Sequence, residues 1–214
     1  MVLKLHGSPL STCVRRVATV LKEKDVPYEL VPVDFAKREH KAPAFLEKNP
    51  FGQVPYIDDD GFILFESRAI ARYVTVKYAH QGAQLLPPPG DLQKLGLFER
   101  AASIELSQFD PSASGLAFEN VFKKMRGQET DQEAVESLKA TLSLKLDAYE
   151  KILSKSKYLA GDEITLADLF HLPYGAMLKL QGYDFLEDES RPNVVRWWKD
   201  ISSRPSWQAV KDGA

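Results

Sequence analysis

The side chains that could take part in chemistry sit in three short segments: SPLSTCVRR at 8–16, NPFGQVP at 49–55 and FESRAIARY at 65–73. The first holds a hydroxyl, Ser11, and the only thiol, Cys13. The third carries a carboxylate and a hydroxyl side by side, Glu66 and Ser67. Each also has a plain structural use. Ser11 suits the N-cap of a helix, and Ser8 followed by Pro9 would cap one equally well. Glu66-Ser67 is what a helix start favours, because an acidic side chain complements the positive end of the helix dipole. Val54-Pro55 reads as an ordinary strand entry, and most X-Pro bonds are trans. Cys13 has no C-x-x-C partner and reads as a small core residue. Four scattered histidines and one cysteine give no metal-ligand spacing. GSPLSTC lacks the GK[ST] ending of a phosphate loop.

The elements that must hold these segments follow from periodicity. Residues 2–6 (VLKLH) alternate weakly up to Gly7 and predict a short strand. Val14, Val17, Ala18 and Leu21 recur at i, i+3, i+4 and i+7, one buried helical face. Tyr28 to Val33 reads as a second strand entered through Pro27, and Asp34 to Lys48 as polar loop with one short helix. VPYI (54–57) and FILF (62–65) predict two strands joined by the DDDG turn. Ile70, Tyr73, Val74 and Tyr78 predict a third helix, so residues 1–80 form an α/β domain in the order β-α-β-loop-β-β-α.

Residues 81–90 (QGAQLLPPPG) predict a linker, because three consecutive prolines cannot continue a helix. Residues 91–214 predict an all-helical domain. Asp91 caps its first helix, whose stripe is Leu95, Phe98, Ala102, Leu106 and Phe109. Leu138, Leu142, Leu146, Tyr149 and Leu153 form another stripe, entered through a capping box of Thr130 and Glu133. Thr165 and Asp168 form a further box ahead of LADLFHLPYGAML, which is apolar on nearly every side and belongs at a domain centre. His171 within it reads as a hydrogen-bonded core histidine, Trp197-Trp198 as core packing, and His6 as a strand residue.

With 44% hydrophobic and 27% charged residues, the chain of 214 residues has ordinary globular values. A net charge of −2 supplies no concentrated basic surface for nucleic acid. A single cysteine excludes an intramolecular disulfide and suits a reducing compartment. MVLKLHGSPL is too short an apolar run for a signal peptide, and no segment reaches membrane-span length. A cytoplasmic protein without a membrane partner is expected.

Taken together and in order, GSPLSTCVRRV, the EHK at 39–41, NPFGQVP, LFESRAIARY and YLAGDEITLADL resemble the glutathione transferases, most closely the phi class, over nearly the whole chain. The resemblance implies a thioredoxin-like N-terminal domain and an all-α helical C-terminal domain, in agreement with the elements derived from periodicity. It implies glutathione as co-substrate, with no other cofactor and no metal, bound by Ser11, Thr12, His40, Lys41, Gln53, Val54, Pro55, Glu66 and Ser67. A cis Val54-Pro55 bond would turn the Val54 N–H and C=O outward to pair with the cysteinyl backbone as a strand edge does. Ser67 at a helix start would take the γ-glutamyl carboxylate and Glu66 the ammonium. Gln53 offers amide contacts, and His40 and Lys41 suit the glycyl carboxylate. Ser11 would donate a hydrogen bond to the sulfur, stabilising the thiolate without itself acting as a nucleophile.

The implied activity is conjugation of that thiolate to small hydrophobic electrophiles, with reduction of organic hydroperoxides as a second use. A non-catalytic, ligandin-like carrier is the alternative, and a thioltransferase using Cys13 a third reading. Leu10, Phe35, Phe118 and Phe122 are the expected acceptor-site residues, in a cleft between domains. Phe51, an aromatic on what should be an exposed loop, is the expected anchor of a homodimer.

Overall fold

Leu3 and Leu5 alternate with Lys4 and His6, and this period of two makes Leu3–Gly7 the strand β1 with both leucines buried. The computed structural model, which describes residues 2–214, continues with α1 (Thr12–Glu23), β2 (Tyr28–Pro32), a 3-10 turn (Glu39–Lys41), α2 (Pro43–Leu46), β3 (Tyr56–Asp59), β4 (Phe62–Phe65) and α3 (Ser67–Lys77). The strands form one sheet in the order β2-β1-β3-β4. β1 and β2 are parallel, while β3 runs antiparallel to both β1 and β4. This is the expected thioredoxin-like arrangement. Asp60 and Gly61 take positive φ, 55° and 89°, as a two-residue hairpin turn demands. α1 packs against α3, with Val14, Val17, Leu21, Ile70 and Val74 all fully buried.

The second unit, Pro87–Ser203, is helical: α4 (Leu92–Ile104), α5 (Asp110–Ala117), α6 (Lys123–Met125), α7 (Gln132–Leu153), α8 (Leu166–Leu169), α9 (Leu172–Leu180) and α10 (Pro192–Ser202). Asp91 caps α4 by accepting from Lys94 N at 2.9 Å. At α7 the cap differs from the expected box. Asp131 Oδ1 accepts from the Glu133 and Ala134 N–H groups, because its carboxylate is the stronger acceptor at a helix start. Thr130 instead donates its hydroxyl to Glu119 O. Leu142, Leu146, Tyr149 and Leu153 are buried along α7 as expected.

The α4 stripe holds only in part. Phe98, Ala102 and Phe109 are buried, but Leu95 and Leu106 are exposed. Two π turns, Glu105–Phe109 and Phe118–Phe122, flank α5. Leu106 lies inside the first of these, where the wider turn shifts side chains off a stripe drawn at 3.6 residues per turn. The exposure of Leu95, in the regular part of α4, has no such cause.

The Thr165–Asp168 box forms, and the fully buried Asp168 also accepts from Leu159 N at 3.1 Å and Trp197 Nε1 at 3.0 Å. The apolar segment after it is two helices, α8 and α9, parted at Phe170-His171 ahead of Pro173, which has no N–H to continue the ladder. His171 is a buried core histidine. Its Nδ1 lies 2.9 Å from Ala167 O and must donate, so Nε2 accepts from Tyr149 Oη at 2.9 Å.

Two segments expected elsewhere join the first unit, which comprises the residues up to Leu86 together with Arg204–Ala214. Ala83 N donates to Glu23 O at 2.8 Å, Lys24 Nζ donates to Ala83 O at 2.8 Å, and Leu85 is fully buried. Residues 81–86 therefore fold onto the end of α1, and only the prolines beyond them open the second unit. Arg204 forks onto Glu23 at 2.5 and 2.7 Å, and α11 (Pro205–Gln208) packs on α1. Arg15 Nη1 donates to Lys211 O at 2.5 Å, with its guanidinium 5.8 Å from the Trp207 ring. Ala214 N donates to Pro9 O at 3.1 Å.

Candidate active site

Strand register gathers the singled-out residues of the first unit at one end of the sheet. Gly7 pairs with Pro32, His6 with Tyr56, and Tyr56 with Phe65. β1, β2 and β4 therefore finish where β3 begins. Ser11 follows β1, Phe35 to Lys41 follow β2, Gln53 to Pro55 precede β3, and Glu66-Ser67 follow β4.

Ser11 is the N-cap of α1, with φ −63° and ψ 130°, and its Oγ accepts from Val14 N at 3.4 Å. That bond uses a lone pair and leaves the O–H to donate, so capping and donation to a sulfur are compatible on one oxygen. Thr12, the first residue of α1, is buried, while Leu10 before the cap is 67% exposed. The turn closes through Ser11 N to Ser8 O at 3.0 Å. Behind it, a Cβ on Gly7 would lie 2.3 Å from Val14 Cγ2 and 3.5 Å from Val54 Cβ. Only glycine allows β1, the first turn of α1 and Val54 to approach so closely.

The Val54-Pro55 bond is cis, with Val54 half-buried and Pro55 buried. A residue that sequence reasoning passed over holds the preceding loop. Buried Asn49 accepts from Phe51 N at 3.1 Å and donates Nδ2 to Gln53 O at 2.8 Å. Its sequence signal is the Asn-Pro pair, a turn initiator. The Gln53 side chain is exposed. Lys41 Nζ donates to Phe51 O at 3.1 Å. A Cβ on Gly52 would lie 2.8 Å from His40 O, so the 3-10 turn lies against the Gln53 loop. His40 meets the exposed Phe35 ring edge-on at 4.6 Å. Burial, then the charges of Lys41 and Arg38, hold the His40 imidazole below its ordinary pKa. It is neutral at pH 7 and donates one N–H.

Glu66, the N-cap of α3, sits at φ 72° and ψ 106°, a conformation that costs a non-glycine residue about 1–3 kcal/mol and concentrates at functional sites. Ser67, the first residue of α3, is buried, and its Oγ accepts from Arg16 Nη1 at 3.0 Å. Arg16 is the second residue missed from sequence. Cys13 is half-buried in the first turn of α1, with Sγ 3.5 Å from the same Arg16 nitrogen. Phe51 is 63% exposed, with its ring 6.1 Å from Phe65. Phe118 and Phe122 belong to the second unit and share a π turn. Phe118 is exposed, with Lys123 Nζ 5.7 Å and the Arg126 guanidinium 5.8 Å from its ring, and Phe122 is half-buried. Among the described residues, no three His, Cys, Asp or Glu side chains gather to hold a metal ion, and no helix is long and apolar enough to cross a membrane.

Residues 1–75 match the family described as "Glutathione S-transferase, N-terminal domain", and residues 109–205 match "Glutathione S-transferase, C-terminal domain". The chain is 52% identical to Glutathione S-transferase PM239X14 of Arabidopsis thaliana, over 92% of this chain and 90% of that protein. Glutathione transferase F7 of Populus trichocarpa superposes with a TM-score of 0.92 at 41% identity, covering 99% of this chain and 98% of that one. Glutathione S-transferase I of maize, solved in complex with an atrazine glutathione conjugate, gives a TM-score of 0.88 at 36% identity, covering 99% and 97%.

Proposed function

The chain belongs to the glutathione transferase family, as a member of its phi class, and on that premise we propose that it conjugates the glutathione thiolate to small hydrophobic electrophiles. The observation that carries this reading is Ser11, a hydroxyl at the start of α1 whose O–H remains to donate, at the sheet end where the other glutathione-binding candidates gather. A thiol of pKa about 8.5 is only slightly ionised at neutral pH. A donated hydrogen bond and the positive end of α1 both favour the thiolate. Lowering the pKa by two units would correspond to ~2.7 kcal/mol.

In this reading Ser67 and the first turn of α3 take the γ-glutamyl carboxylate, and Glu66 takes the ammonium. Val54, fixed by Pro55, pairs its backbone with the cysteinyl peptide, and Gln53 adds amide contacts. Neutral His40 and cationic Lys41 take the glycyl carboxylate, and Thr12 completes the turn beneath the sulfur. The exposed Leu10 and Phe35 of the first unit supply apolar surface for the acceptor. The maize relative's bound conjugate is the kind of product this chemistry makes. Reduction of organic hydroperoxides would draw on the same thiolate. A homodimer anchored by Phe51 and a cytoplasmic location belong to the same proposal, supported by the exposure of Phe51 and the free thiol of Cys13.

The test is a panel of aryl halides, unsaturated carbonyls and organic hydroperoxides assayed with glutathione. Turnover of part of the panel is the expected result. Rates no higher than the uncatalysed reaction throughout, with apolar dyes still bound, would favour the carrier.

A further inference from the structure

We propose that Arg16 is a positioning residue for the γ-glutamyl end of glutathione, setting the Ser67 hydroxyl as a donor toward the glutamyl carboxylate from inside the first unit. The proposal rests on the glutathione-binding reading above.

Arg16 lies on α1 among apolar neighbours that face α3, and it is 1% exposed. A cation is costly to bury and is held only where polar partners compensate it. Its Nη1 spans two partners, Ser67 Oγ at 3.0 Å and Cys13 Sγ at 3.5 Å. The preceding Arg15, about 100° away around the helix axis, serves the opposite end of the chain through Lys211 O and Trp207. Two consecutive arginines thus have separate duties, and only Arg16 reaches the site.

A serine hydroxyl has one hydrogen and two acceptor lone pairs. With the Arg16 N–H on one lone pair, the hydroxyl hydrogen turns toward another acceptor. A charge-assisted bond on the oxygen polarises the O–H into a stronger donor. Low local dielectric keeps the guanidinium charge effective at that distance. Ser67 is also the first residue of α3, whose opening N–H groups and dipole favour an anion. A buried cation, a polarised hydroxyl and a helix start therefore act with one sign at the place assigned to the glutamyl carboxylate. Arginine suits this position better than lysine, because its planar fork holds a fixed direction where an ammonium would swing.

The test compares two tripeptides by isothermal titration calorimetry. One is glutathione. The other carries 4-aminobutyryl in place of γ-glutamyl, which keeps the amine and removes only the carboxylate in question. Arg16→Gln should weaken glutathione roughly ten-fold or more and leave the analogue within about two-fold. Arg16→Lys should retain part of the preference. The losses of Arg16→Gln and Ser67→Ala should fall short of additive in the double variant, because they act on one contact. Equal weakening of both tripeptides, or additive losses, would overturn the proposal. So would failure of both Arg16 variants to fold, which would make the residue structural only. Wild-type protein that binds neither tripeptide would instead overturn the glutathione reading itself.

Discussion

The Ser11 oxygen serves two neighbours with different demands. Val14 N takes a lone pair at a long 3.4 Å, so the cap holds the hydroxyl loosely and its hydrogen remains for the sulfur. Ser11→Ala should cost about 0.5–2 kcal/mol of stability as a lost cap. It should keep glutathione affinity within a few-fold, because the other contacts hold the tripeptide. Turnover at neutral pH should fall by roughly ten- to a hundred-fold, the worth of a hydrogen bond to a charged acceptor. Part of that loss should return as pH rises, since hydroxide ionises the thiol unaided. A pH–rate profile with thiolate absorbance in the bound state measures this, and an unmoved profile would leave Ser11 as a cap alone. The fold gathers at one end of its sheet Ser11, His40, Lys41 and Ser67, which were singled out by the resemblance to the glutathione transferases. Arg16 and Asn49 were not. Both arginines of VRR are buried, and which of them faces α3 depends on how α1 is rotated against α3 and the C-terminal segment. Asn49 acts through backbone groups that carry no residue signature.

Between elements, the link from β3 to α3 is electrostatic as well as apolar. Buried Asp59 ends β3 and accepts from Tyr73 Oη at 2.6 Å on α3, and Lys77 pairs with the same carboxylate. Burial works to raise the Asp59 carboxyl, but the hydrogen bonds from Lys77 and Tyr73 and the Lys77 charge outweigh it and hold the group below its ordinary value. A folded pKa below the unfolded one gives stability that is present above about pH 4 and lost as pH falls through the folded pKa. Asp59→Asn should therefore melt at lower temperature than wild type at pH 7, with the gap narrowing as pH approaches about 3. Melting curves across that range decide it, and a constant gap would mean the charge contributes nothing. The strands and helices themselves follow from apolar period. The π turns flanking α5 do not, because an i→i+5 ladder has no residue pattern to announce it. The α7 cap moved to Asp131 because two adjacent polar residues competed for the same amides.

For the molecule as a whole, the exposed Phe51 ring stands on a loop braced by Asn49 and Lys41, and a braced loop loses little freedom on binding. Light scattering should find a dimer for wild type. Phe51→Ala should move the equilibrium toward monomer by about 2 kcal/mol or more if the ring is a buried anchor, and an unchanged dimer would place the anchor elsewhere. The PPPG stretch marked a real change of unit. The return of Arg204–Ala214 to the first unit was hidden, because α11 continues the same helical patterning as α10, and its place is set by Glu23, far away in sequence.

That return gives the protein an order of completion. Domains emerging from a ribosome fold roughly as they appear, and the sheet, α1 and α3 are available early. Glu23 must nevertheless wait for Arg204, Arg15 for the Lys211 carbonyl and the Pro9 carbonyl for Ala214 N. The turn that carries Ser11 is thus made early and secured late. A chain stopped at Ser203 should exchange its α1 amides faster than the full chain, and equal exchange would show that the turn secures itself. In the growing polypeptide, rigidity at the thiol-handling turn would then report that translation has passed the segment Arg204–Ala214.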